Sequence, residues 1–207
     1  MTISVSPFTT SNFTGSFVNS SQGLVQGTAS DDPMTRQALS GGVVYASETY
    51  PMWGGIAITE IIPTAGYLVA AGMLGPTLKR ATTIATVGSG ITGFIVTDQA
   101  YNGIITTGSP VPLFVQGGTA HFYRLGSRAK VNVQIDTTLA TNLLGNAYNT
   151  QVAWDFTNQK LSTFSSGTAL DVKVLDIQTG NSKTITYNTS TGLATYSETG
   201  AVATILI

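Results

Sequence analysis

An all-β fold, a sandwich or barrel with a jelly roll among its variants and at most two short helices, is what this 207-residue sequence predicts. Three observations predict it. Thr and Ser make up roughly a quarter of the chain and 23 residues are Gly, the composition of short strands joined by turns. Lys130-Val-Asn-Val-Gln-Ile-Asp136 alternates without a break, so Val131, Val133 and Ile135 share one face and Lys130, Asn132, Gln134 and Asp136 the other. Gln151-Val-Ala-Trp-Asp-Phe156 puts Val152, Trp154 and Phe156 on one side, and after Thr157-Asn158-Gln159 the chain returns through Leu161 and Thr163, as a hairpin does.

Taken in order, the elements begin after an unusual segment. Residues 1–28 contain no charged residue, and Phe8, Phe13 and Phe17 are scattered among Ser, Thr, Asn and Gly. Such a segment buries too little surface by itself to offset its ordering entropy, so it reads as an extended arm that orders on a partner or as an edge strand of the domain. The β domain then spans 29–207, with a sub-boundary near 126–129 where Gly126-Ser127 makes a turn. A short helix is expected where Asp32 caps, Pro33 takes the first helical position and Gly41-Gly42 stop it. A helical turn over Thr64–Met73 is weakened by Gly66 and Gly72, each costing about 1 kcal/mol against Ala. Ile56–Ile62, Ala81–Val87, Phe94–Thr97, Ile104–Thr107 and Val111–Gln116 read as strands bounded by Gly or Pro. Leu170–Ile177 and Lys183–Tyr187 repeat the strand pattern around Gly180-Asn181, and the last 80 or so residues read as a meander ending at Ala201–Ile207.

Composition narrows the function. Charged residues are only 9% of the chain, with one His and no Cys, whereas most enzyme chemistry needs histidine, cysteine, lysine and carboxylates held together. Nine Lys and Arg against ten Asp and Glu leave a net charge of −1, which offers no electrostatic reason to bind nucleic acid or an anionic membrane. Arg124, Arg128 and Lys130 form a local basic cluster that reads as a solvated strand end. The longest apolar run, Gly66–Gly75, is about half of the roughly 20 residues that a helix needs to cross a bilayer, and the first residues lack the pattern of a secretory signal. The expectation is a soluble protein with no cofactor and no metal.

The motifs with chemical potential each have a plainer reading. Gly88-Ser-Gly-Ile-Thr-Gly93 matches the dinucleotide spacing, but a phosphate site needs a helix N-terminus next and Phe94-Ile-Val-Thr97 is a strand former, so it reads as a β-turn. His121, between Ala120 and Phe122, reads as a packed or hydrogen-bonded side chain. Asp31, Asp32, Asp155 and Asp171 are the acids considered for a glycosidase pair, which needs two carboxylates about 5 to 9.5 Å apart across a sugar cleft. Trp154, on the apolar face of its strand, reads as core. Trp53, within Pro51-Met-Trp-Gly-Gly55, reads either as an anchor that fills a partner's pocket or as a cap on the end of a barrel. With the three arm phenylalanines Phe8, Phe13 and Phe17 it completes the expected interface.

Six phrases then stand together: Ser30-Asp-Asp-Pro33; Pro51-Met-Trp-Gly-Gly-Ile-Ala57; Val96-Thr-Asp-Gln-Ala100 with Asn102-Gly103; Ser109-Pro-Val-Pro-Leu113; His121-Phe-Tyr-Arg-Leu-Gly-Ser-Arg128; and Gln151-Val-Ala-Trp-Asp-Phe156. In wording and order they resemble the structural cement, or head decoration, proteins of tailed bacteriophages. The resemblance covers about residues 30 to 160. It implies a virion protein, made in the bacterial cytoplasm, that sits on the outside of a DNA-filled capsid, bridges neighbouring major capsid protein subunits and associates with its own copies there. It implies no catalytic residue. The competing expectation is a tail or baseplate β protein that binds a host surface glycan through exposed aromatics.

Overall fold

The alternating stretches become strands, and their apolar faces meet in two layers. The computed structural model describes residues 23–30, 33–62, 75–84, 90–97, 104–106 and 109–207. In chain order the first half contributes α1 (Pro33–Arg36), β1 (Ser40–Val44), β2 (Ala57–Ile61), β3 (Thr77–Arg80), β4 (Gly93–Val96), β5 (Ile104–Thr106), β6 (Ser109–Leu113) and β7 (Thr119–Arg124). Five of these close into a barrel in the order β1-β3-β2-β4-β7, with β1 and β3 parallel and the other neighbours antiparallel. The second half contributes β8 (Lys130–Ile135), α2 (Thr137–Leu143), β9 (Val152–Asp155), β10 (Lys160–Thr163), β11 (Lys173–Gln178), β12 (Thr184–Asn188), β13 (Leu193–Ser197) and β14 (Ala201–Leu206). A five-stranded sheet in the order β11-β14-β8-β10-β9 packs on the barrel, and β12 with β13 forms a separate hairpin. The fold is all-β with two short helices among the described residues, and of the expected architectures a barrel is present.

Three hydrophobic clusters hold these parts together. Inside the barrel lie Val44, Met52, Ile56, Ile58, Leu78, Ile95, Phe114, Ala120 and Phe122. Outside it, Phe94, Val96 and Tyr123 join Val131, Val133, Ile135, Trp154, Leu161, Ala203 and Ile205 of the second sheet, and Leu139, Ala140 and Leu143 of α2. Strand β4 is therefore buried on both faces, which is why Phe94-Ile-Val reads as a continuous apolar run with no alternation. Phe94 meets Trp154 edge-on at 5.1 Å, a geometry worth about 0.5–1.5 kcal/mol beyond area burial. The third cluster, Val111, Leu113, Ile185 and Ala194, seats the β12–β13 hairpin on β6.

Residues 23–30 stitch the three parts. Gln26 N–H donates to the Lys183 carbonyl (2.8 Å), Gly27 N–H to Asn132 (2.7 Å), and the Gly27 carbonyl accepts from Thr97 N–H (2.7 Å). Gly27 has φ 84°, and a Cβ there would lie 2.4 Å from the Cα of Gly54, so the two backbones touch where no side chain fits. The end of the uncharged segment, 23–28, is thus built into the domain.

Several sequence expectations hold: Pro33 opens α1, and strands cover most of Ile56–Ile62, Phe94–Thr97, Ile104–Thr107 and 130–136. The Val152–Asp155 and Lys160–Thr163 hairpin is antiparallel as its turn requires. Others are corrected. Gly41-Gly42 does not stop a helix, which ends at Arg36, but lies inside β1; a Cβ on Gly42 would come within 2.7 Å of the Pro76 carbonyl oxygen, so glycine marks a close approach of strands. Of the strand expected over Ala81–Val87, the described residues 81–84 are not strand: β3 ends at Arg80, and Thr83 forms an isolated parallel bridge with Gly90. The C-terminal region is not a sequential meander, because β14 inserts between β8 and β11 while β12 pairs with β13. Thr64–Met73, Asp31, Asp32, residues 85–87 of the expected Ala81–Val87 strand and residues 88–89 of the Gly-rich run lie outside the described residues.

Candidate functional site

Trp53 is the one expected interface residue among the described ones; Phe8, Phe13 and Phe17 lie outside them. The local chain explains its position. Met52 is fully buried in the barrel and makes a two-way backbone bridge with Phe114 (2.9 and 2.8 Å), and Gly55, at φ 84°, turns the chain into β2. Between them the half-buried Trp53 ring is held on two sides. The Tyr187 ring stacks on it at 5.4 Å, and the Arg80 guanidinium carbon lies 4.8 Å from its centroid. Tyr50, 41% exposed, adds a tilted contact to Tyr187 at 5.8 Å.

Electrostatics fix the cation of this cluster. The Glu48 carboxylate is 3.7 Å from Arg80 Nε and accepts from the Arg80 backbone amide (3.1 Å), while the Arg80 guanidinium donates to the Pro51 carbonyl. Burial pulls the Arg80 guanidinium below its ordinary range, against the raising influence of Glu48 and Tyr187. The group is a half-buried cation spread over an aromatic face, an arrangement worth about 0.5–2 kcal/mol depending on how far it is desolvated. It joins the barrel (Arg80), the loop (Trp53) and the hairpin (Tyr187), so Trp53 seals the barrel against the hairpin and leaves Tyr50 as its solvent-facing edge.

Comparison with protein-family models, with curated proteins and with solved structures returned no match. The chemistry of the surface is therefore read from its own residues.

Of the candidate acids, Asp31 and Asp32 lie outside the described residues, and Asp155 and Asp171 have separate surroundings. Asp155 Oδ1 accepts from the amides of Thr157 (2.9 Å) and Asn158 (3.0 Å) and its Oδ2 from Asn158 Nδ2 (2.7 Å), the pattern of an Asx turn. Burial raises this carboxyl, but the hydrogen bonds from Asn158 and Thr157 together outweigh it and hold the group below its ordinary range. Asp171 lines a cleft of about 300 Å³ between the barrel and the loop before β11. Glu60 lines the same cleft, but its carboxylate is held bidentately by Arg124 (2.9 and 2.7 Å). The hydrogen bond to Glu60 is also what raises Arg124 above its ordinary range, and with Ser40 Oγ at 2.8 Å it ties the end of β7 to its neighbours. The basic cluster is thus a paired strand end at Arg124 and a left-handed turn residue at Arg128 (φ 63°). His121 lies half-buried on the outer face of β7 beside Gly41. No group of three or more His, Asp or Glu among the described residues is placed to hold a metal ion.

Two residues that sequence reasoning missed join the layers. Gln159, buried at φ 52°, accepts from Ala57 N–H of the barrel (3.3 Å) and Trp154 Nε1 of the sheet (3.4 Å), and donates to the Phe156 carbonyl (2.9 Å). Gln26, also buried, accepts from Ile185 N–H of the hairpin (2.8 Å). Their only sequence signal is position: each sits in a short polar stretch between apolar runs.

Proposed function

We propose that this chain is a virion structural protein that binds the outer surface of a tailed-phage capsid, bridging neighbouring major capsid protein subunits and stabilising the DNA-filled head. The observation that carries the reading is the resemblance of the six phrases between residues 30 and 160. Within those phrases Met52, Ile56, Ala57, Leu113, Phe122 and Trp154 are buried, so several of the residues that carry the resemblance are core positions of this chain. The use of the polar residues fits as well. Asp155 shapes a turn, Glu60 holds Arg124, and Arg80 is spread over Trp53, which leaves a rigid, weakly charged β body suited to matching a surface.

Mechanism follows from linkage. Internal pressure pulls capsomers apart, and a protein that binds only the assembled lattice raises the cost of separating them by mass action. Many weakly bound copies on a symmetric shell, touching the capsid protein and one another, gain by avidity. Neither nucleic acid nor membrane enters this scheme, which suits a net charge of −1.

The test is the copy number per purified virion, measured by mass spectrometry against the major capsid protein. A ratio near one per one or two capsid subunits is the expected outcome. A handful of copies would move the protein to the tail or baseplate and to glycan binding, and none would discard the virion role.

A further inference from the structure

The loop that follows α2 runs beside β11 and leaves large apolar side chains in water. The Tyr148 carbonyl accepts from Val174 N–H (2.9 Å), which pins the loop to the strand. Between the two lies a groove of about 360 Å³ lined by Leu144, Tyr148, Val174, Leu175 and Ile177. Leu144, Tyr148 and Leu175 are 56%, 60% and 42% exposed, half of the six large hydrophobics that stand in solvent among the described residues. A bulge between Val174 and Asp176 leaves Leu175 without a partner on β14. Strand β11 is outermost in its sheet among the described residues, yet its main chain is partly closed. The Val174 amide is held by Tyr148 and the Ile177 amide donates to the Asp176 carboxylate (2.9 Å), so little is left for an added strand and a partner has to dock on side chains.

The charges beside the patch decide which partner that is. Lys173, with its Nζ 5.8 Å from the Tyr148 ring centroid, precedes Leu175 along the strand, and Asp176 follows it. Both are exposed, and they share one face of the sheet, because they pair with Leu206 and Thr204, alternate residues of β14. We propose that this patch is the contact between two copies of the chain, related by a two-fold axis near Leu175. Such a contact is self-complementary: whatever residue i meets in the other copy, that copy's i meets in the first. Two β11 strands running in opposite directions across the axis bring Lys173 of each copy toward Asp176 of the other, and the Leu175 side chains meet at the centre, flanked by Leu144 and Tyr148. A partner of a single charge sign would set either Lys173 or Asp176 against its like, which is unfavourable. A patch of so few residues falls short of the roughly 20 or more per side of a stable interface, so the contact is weak in the free chain and gains where copies are already held side by side. That role rests on the capsid reading; the contact itself is tested without capsids, so the two can fail separately.

The chain has no cysteine, so Leu175→Cys supplies the one thiol of the protein. Disulfide trapping of the purified chain under mild oxidation is compared with Thr186→Cys, an exposed position on the separate β12–β13 hairpin. Leu175→Cys should form covalent dimers about tenfold or more faster than Thr186→Cys. In the Leu175→Cys background, Lys173→Asp alone and Asp176→Lys alone each set like charges against one another and should slow trapping to the control rate. Mixed together, these two variants should trap each other at least as fast as the unaltered background traps itself. Near-ultraviolet dichroism checks that every variant is folded. Equal rates at the two thiol positions would overturn the proposal, and so would charge variants that trap alone as fast as the background or gain nothing on mixing.

Discussion

Gly27 and Gly117 both have positive φ, 84° and 74°, but only the first has a neighbour where a side chain would go. A Cβ on Gly117 meets nothing within 4 Å, so Gly117→Ala should cost only the left-handed backbone penalty, about 1–2 kcal/mol. Gly27→Ala adds a collision with the Gly54 backbone and should cost about 3 kcal/mol or more, since two main chains must separate. Urea midpoints of the two variants measure the difference, and equal shifts would mean that residues 23–30 yield easily. At this scale sequence reading was strongest for apolar residues: Trp154 and the Val131, Val133, Ile135 face are buried as their spacing requires. It was blind to Gln26 and Gln159, because a glutamine in a polar turn is buried only when two layers meet over it.

At the scale of elements, α2 shows how one signal hides another. Asp136 ends the alternation of β8, so its polarity reads as the solvent face of a strand, yet its carboxylate also accepts from Thr138 N–H (3.0 Å) and Leu139 N–H (3.3 Å) as a helix cap. The i, i+4 pair of Leu139 and Leu143 behind it was the available clue. The hydrogen bond from Lys160 (2.8 Å), aided by those two amides, holds the Asp136 carboxyl below its ordinary range against the opposing effect of burial. A carboxyl with a folded pKa below its unfolded one stabilises fully above about pH 4 and loses that contribution as pH falls through the folded value. Asp136→Ala should cost about 1 kcal/mol at neutral pH through the lost cap. Asp136→Asn keeps the acceptor but removes the titration, so its stability should fall less steeply on acidification than the parent's. Thermal melts at neutral pH and below pH 4 separate the two, and parallel acid profiles would remove Asp136 from the acid response.

At the scale of the whole molecule, the class was legible and the topology was not. Strand composition and alternation report local structure, but closing the barrel depends on β1, β3 and β7, whose Gly-Gly, Lys-Arg and His-bearing sequences carry weak strand signals. Their pairing is decided by what they pack against, such as Leu78 and Phe122 inside the barrel. The second sheet is likewise joined out of order. Strand β14 carries alternate residues Ala201, Ala203 and Ile205 into the shared core and pairs with both β8 and β11. Ending the chain after Gly200 should therefore abolish cooperative unfolding of the sheet and leave an insoluble product; a soluble truncation with native near-ultraviolet dichroism would contradict that arrangement.

The same insertion sets a timetable for synthesis. All five barrel strands leave the ribosome before β14 exists, so the barrel can close while β8 and β11 wait for the strand that separates them. Through that interval Phe94, Val96 and Tyr123 on the barrel's outer wall have no finished sheet to cover them. The nascent protein is then a half-built shell with an apolar side left open until β14 slides into place.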